Sequence, residues 1–134
     1  MKHFNVWNNK EESLETHGDE RGKISDIFYD TNINHVAIIE SKADSIRGDH
    51  YHKHTTQYVL VVKGELEYWH KHYDSSNSAE SIILKEGDFV ESPPYEVHSF
   101  KMITDNQFIV FSEGLRGGKD YEKDTYRYEP SIVE

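Results

Sequence analysis

An all-β fold, one domain built as a sandwich or barrel, is what the 134-residue sequence predicts. Three observations carry that prediction. β-Branched and aromatic residues come in short runs of strand length. Turn-forming clusters separate the runs: Asp74-Ser75-Ser76-Asn77-Ser78, Glu86-Gly87-Asp88, Pro93-Pro94 and Thr104-Asp105-Asn106. Helical periodicity is almost absent, so crossover helices are lacking and antiparallel pairing is favoured over a parallel sheet. With 9 Tyr, 6 Phe and 2 Trp, the chain carries core-forming side chains that disordered sequences lack.

Taken in order, residues 9–16 read as a short helix too polar for a core, or as loop. Strands are expected near 23–29, 35–41, 46–52, 57–63, 65–72, 81–85, 88–91, 97–103 and 108–112. The barrel core would then span about 23–112, and 113–134 would be a polar, loop-like tail of the same domain, 1–134. Arg116-Gly117-Gly118-Lys119-Asp120-Tyr121 sets the character of that tail, while Tyr121, Tyr126 and Tyr128 argue that it lies on the domain. Two strands are apolar on both faces: Tyr58-Val59-Leu60-Val61-Val62 and Phe108-Ile109-Val110-Phe111. One face packs inward, so the other needs a cover. A homodimer interface supplies one, and the N-terminal segment of the same chain is the alternative.

Acidic residues outnumber basic ones 25 to 15, a net charge of −10. Such a surface repels nucleic acid and anionic membranes, and no Lys/Arg stripe offsets it. A small anionic ligand remains compatible if a few arginines line a pocket. Without cysteine there is no disulfide, thiolate metal site or thiol nucleophile. The first ten residues are polar, and no apolar run reaches the ~18 residues of a membrane span. A cytoplasmic protein acting on a small molecule is the expectation.

Nine histidines are many for this length, and three crowd into His50-Tyr51-His52-Lys53-His54. Residues two apart on a strand share a face, so His50 and His52 point the same way. Such a pair can chelate a divalent metal, pass protons near neutral pH, or simply sit at the surface. The extended spacing is more specific. Four residues separate His52 from Gln57, and six more separate Gln57 from Gly64; later, Gly87 is followed after five residues by Pro93 and after four more by His98.

From Arg47 to Phe100 this pattern resembles the two motifs of the cupin superfamily, G(x)5HxH(x)3–4E(x)6G and G(x)5PxG(x)2H. The resemblance implies a cupin jelly-roll β-barrel with His50, His52 and His98 as candidate metal ligands inside it. Gln57 stands at the acidic position as a weak fourth ligand, Tyr95 stands where glycine is usual, and the glycine before the HxH is displaced to Gly48. An amide for a carboxylate loosens the hold on a hard cation. Three imidazoles alone still suit Zn²⁺ or Fe²⁺ with an open position.

Asp19-Glu20-Arg21-Gly22, then Arg47-Gly48-Asp49-His50-Tyr51-His52-Lys53, with Gln57 and Gly64, is similar to a narrower group, the nucleotide-sugar 3,4-ketoisomerases. These convert dTDP-4-keto-6-deoxyglucose into its 3-keto isomer, and the related dTDP-4-dehydrorhamnose 3,5-epimerases carry a like block. That resemblance implies chemistry without a cofactor, in which His50 and His52 move protons between C3 and C4. Arg47 would meet the diphosphate, or sit solvated or salt-bridged at a strand edge. Arg21 would contact the nucleotide or simply end a loop, and Gln57 would orient the sugar. Tyr58 is a candidate substrate contact, with core packing as the alternative. His98 after Pro93-Pro94 instead matches metal-dependent cupins, oxygenases or lyases holding one Fe, Mn, Zn or Ni ion. A ligand-binding barrel without catalysis is the third reading. His54 is expected at the barrel mouth, His70 and His72 at the surface, core edge or cavity, and Trp69 on an outer face.

Overall fold

The computed structural model describes residues 1–8, 14–114 and 123–134. The helix-or-loop reading of 9–16 lies mostly outside the described residues, as does the Arg116–Tyr121 run. Among the described residues there are twelve strands and no α-helix: β1 (Lys2–Asn5), β2 (Thr16–Asp19), β3 (Gly22–Ser25), β4 (His35–Ser41), β5 (Ile46–Tyr51), β6 (Thr56–Lys63), β7 (Leu66–His72), β8 (Glu80–Leu84), β9 (Asp88–Ser92), β10 (Glu96–Met102), β11 (Asn106–Glu113) and β12 (Tyr126–Arg127). No described helix is long and apolar enough to cross a membrane.

Two five-stranded sheets, ordered β1-β9-β6-β11-β4 and β12-β5-β10-β7-β8, pack as a jelly-roll sandwich, and all their pairings are antiparallel. Period-two alternation decides which residues lie between them. On β6, Gln57, Val59 and Val61 are buried, while Tyr58 and Leu60 face outward; on β11, Phe108, Val110 and Ser112 are buried. Val59, Val61, Leu66, Tyr68, Leu84, Val90, Phe100, Met102, Phe108 and Val110 form the apolar core.

One level of the interior is polar. Register places Ser92, Gln57, Ser112 and His35 in a row across the first sheet. The corresponding row of the second sheet is His50, His98 and His70. Tyr68 on the second sheet hydrogen-bonds Ser92 on the first, so the polar rows meet across the interior.

The predicted strand 23–29 is corrected: it ends at Ser25. β3 pairs only with β2 in a separate two-stranded ribbon. The Asp26 amide then bonds the Glu15 carbonyl, and the chain peels away to lay Phe28 over Tyr58, Phe89 and Phe111 at ring distances of 5.0, 5.7 and 4.8 Å. The N-terminal segment thus covers part of the outer face of the first sheet. Val36, Ile38 and Val62 on that face stay exposed, at 58, 64 and 44%. Part of the expected loop-like tail is a strand: β12 joins the edge of the second sheet, with Tyr126 opposite Tyr51 and Arg127 opposite His50.

Candidate functional site

The site begins with a glycine. Gly48 has φ +103°, and a Cβ built on it would stand 2.6 Å from the His98 carbonyl oxygen. Only glycine lets β5 approach β10 this closely, beside the register shift between His98 and Ser99. The next residue, Asp49, also has positive φ, at 55°. Its carboxylate accepts bonds from the Ser99 hydroxyl and the Ile132 amide, and its carbonyl accepts from the Tyr128 amide. This kink seats His50 against His98. Gly48→Ala is expected to destabilise the fold by at least about 2 kcal/mol, strain and clash combined, seen as a lower urea midpoint.

The structure brings His50, His52 and His98 together, as the motif spacing implies. All three are buried, at 7, 2 and 1% exposure. Ring centroids are 5.0 Å apart for His50–His52, 4.7 Å for His50–His98 and 5.4 Å for His52–His98. One nitrogen from each ring lies within 4.8 Å of the others. Gln57, also buried, joins them from the opposite sheet, with its Oε1 position 3.1 Å from His52 Nε2. His52 Nδ1 lies 2.7 Å from the main-chain carbonyl oxygen of Asp124.

Asp124 was marked by no motif. It is 1% exposed, and its carboxylate accepts bonds from the Lys53 and His54 amides and the Thr55 hydroxyl. Burial pushes its carboxyl up, but those bonds, aided by the nearby His52, outweigh burial and hold it below the ordinary value. A second buried network lies next to the histidines. Tyr68 donates to Glu96 at 2.8 Å, and His70 Nδ1 is 4.0 Å from the same carboxylate. Burial and the Glu96 charge push the Tyr68 phenol well up, so it stays protonated.

A cavity of about 290 Å³ opens beside this level, lined by Arg47, His50, Gln57, Phe100, Val110 and Arg127 among others. Arg47 is exposed at its rim; its Nε bonds Ser41 Oγ at 2.8 Å and its Nη2 the Glu40 carbonyl at 3.0 Å, leaving further donors of the fork for a ligand. Arg127 was missed because only the β12–β5 pairing, invisible in sequence, places it here.

Two of the expected substrate contacts stand away from this cavity. Tyr58 follows the inward Gln57 on β6 and therefore points to the other side of the sheet, against Phe28 and Phe89. Arg21 sits on the β2–β3 ribbon, largely exposed, with its guanidinium 2.7 Å from Asp19. The chain does not bring it to the cavity. His54 and His72 are exposed, whereas His70 lies in the interior row.

The chain matches the polysaccharide biosynthesis C-terminal domain family over residues 17–126. It belongs to that family. No curated protein sequence matches this family member. Solved structures similar to it include a dTDP-4-dehydrorhamnose 3,5-epimerase from Sulfolobus tokodaii, with TM-score 0.74, 17% identity, 95% of this chain covered and 83% of the other. A 3,4-ketoisomerase from Helicobacter canadensis gives 0.73 and 18%, covering 94 and 89%. The capsular polysaccharide assembling protein CapF from Staphylococcus aureus gives 0.65 and 21%; 87% of this chain is covered and 34% of CapF, so this member of the polysaccharide biosynthesis C-terminal domain family spans about a third of that protein. These likenesses confirm the cupin-like jelly roll expected from the motifs.

Proposed function

We propose that the chain is an enzyme that isomerises or epimerises a nucleotide-linked 4-keto-6-deoxy sugar by histidine acid–base chemistry. The observation that carries this reading is the buried cluster of His50, His52 and His98, with Gln57, beside a cavity rimmed by Arg47 and Arg127. A hydrogen on the carbon next to a keto group is acidic because the carbanion delocalises onto oxygen. One imidazole removes it to give an enolate. For isomerisation the keto oxygen takes a proton to give the enediol, a second group then protonates the old carbonyl carbon, and the neighbouring hydroxyl gives up its proton to become the new keto group. For epimerisation the second group protonates the opposite face of the same carbon. His50 lines the cavity, and His52 lies 5.0 Å from it ring to ring. Near 300 Å³, the cavity is at the small end of ligand pockets, so it suits the sugar and leaves the diphosphate at the arginine rim. The similar epimerase and ketoisomerase structures support the same class.

The test is incubation with dTDP-4-keto-6-deoxyglucose in D₂O with chelator, followed by NMR. The expected result is deuterium beside the carbonyl, with either a 3-keto product or inversion at C3 or C5. Absence of both under these conditions overturns the metal-free reading. The second reading is a metal-dependent cupin, favoured by the three buried imidazoles. Their donor type fits Zn, Fe, Mn or Ni, but at 2.0–2.1 Å per bond the nitrogens must draw in to about 3.4 Å apart. Bound there, an ion would polarise the keto oxygen. Activity that appears only on adding one of these ions selects this second reading.

The active form is further proposed to be a homodimer. Exposed Val36, Ile38 and Val62 leave the outer face of the first sheet incompletely covered, which supports a second copy there. Ile38→Asp with Val36→Asp is expected to give monomers by sedimentation.

A further inference from the structure

We infer that Asp124 is a positioning residue for His52, fixing which of its two nitrogens takes the proton. This rests on reading His52 as a proton-transfer group. His52 is 2% exposed and held at both ring nitrogens. The partner of Nδ1 is a main-chain carbonyl, which cannot donate, so Nδ1 carries a hydrogen. In the neutral ring the lone pair is therefore on Nε2, the nitrogen turned to Gln57, whose side chain lines the cavity. The Asp124 carbonyl thus selects the tautomer in which the basic nitrogen faces Gln57, a residue of the cavity wall.

That carbonyl comes from 72 residues away along the chain, and the same residue's side chain fixes its position. The Asp124 carboxylate grips the turn that leaves His52: the Lys53 amide at 2.9 Å, the His54 amide at 2.9 Å and the Thr55 hydroxyl at 2.8 Å. Ring and turn are held by the two ends of one residue. The ring cannot rotate without breaking its bond to the Asp124 main-chain carbonyl, nor the turn slide without breaking bonds to the buried carboxylate. β12, which begins two residues later, extends the same clasp by pairing Tyr126 with Tyr51 and Arg127 with His50.

The experiment uses the full chain labelled with ¹⁵N-histidine. Long-range ¹H–¹⁵N NMR reads the His52 tautomer, and steady-state kinetics on dTDP-4-keto-6-deoxyglucose reads turnover. Wild-type His52 is expected in the form protonated at Nδ1. In Asp124→Ala that form should give way to a mixture, with kcat down at least tenfold and KM within about threefold. Asp124→Asn, which keeps an acceptor for the turn, should recover part of the loss. Thr55→Val removes one bond and leaves the carbonyl untouched, so it carries the test if Asp124→Ala fails to fold; a severalfold kcat loss with partial mixing is expected. An active enzyme whose tautomer and kcat ignore these substitutions overturns the positioning role alone. A wild-type protein inactive on keto sugars, whose His52 still loosens in Thr55→Val, overturns the functional reading and keeps the positioning.

Discussion

His50→Asn and His52→Asn are each expected to lower kcat by about 10²–10⁴-fold, the usual worth of a positioned acid or base, while nucleotide-sugar binding stays within a few-fold. Asparagine keeps a polar group of similar reach but cannot take up or deliver a proton. The split follows from where the two rings stand. Both rings are buried at the polar level where the sugar would react, whereas Arg47 and Arg127, from which binding energy for the nucleotide is expected, are exposed. If His50 and His52 act on one substrate in one proton-transfer sequence, as proposed, their losses should not add. The double variant is expected to be no slower than the slower single within about threefold. Single-turnover kinetics with equilibrium dialysis of the nucleotide sugar measures both quantities. A variant that turns over normally removes that residue from the chemistry; one that loses binding as steeply as turnover makes it a binding group.

The motif region was legible because its constraints are local. His50 and His52 share a face through strand alternation alone, and the spacing to Gln57 and His98 carries the cupin pattern. The same alternation separates Tyr58 from the site. Its neighbour Gln57 points inward, and that single step of alternation sends the tyrosine to the far side of the sheet. Asp124 and Arg127 illustrate the opposite limit. They sit in a polar stretch with no periodicity, and their positions come from bonds to Lys53, His54, Thr55 and β5 that span some seventy residues. Short strands were lost for a related reason: β1, β2 and β12 have four, four and two residues, and polar or mixed composition. The strand expected at 23–29 was overextended because Ile27-Phe28-Tyr29 is as apolar as a strand, yet its role is to lay one ring on the outer face.

Gln57→Glu is expected to reduce turnover in chelator by at least about 100-fold while raising affinity for a divalent ion. The argument rests on what the amide can do that a carboxylate cannot. At 3.1 Å from His52 Nε2, the glutamine can offer its oxygen to a protonated nitrogen or, rotated by half a turn, its NH₂ to a lone pair. It therefore suits His52 before and after a proton is taken up. A carboxylate only accepts. With Nδ1 already committed to the Asp124 carbonyl, a carboxylate at position 57 would be satisfied only by hydrogen on both nitrogens, which holds the ring as imidazolium and removes its basic lone pair. The buried pair so formed, shielded from water, resists giving up that proton. Added metal offers the one competing arrangement, in which the carboxylate and three imidazoles complete a four-donor set and the proton leaves. Turnover in EDTA, and ion content by elemental analysis after dialysis against Zn²⁺ or Mn²⁺, separate the outcomes. Wild-type turnover in EDTA by this variant would show that His52 does not cycle between protonation states. Gln57→Leu, which removes both amide functions, should fall between the two.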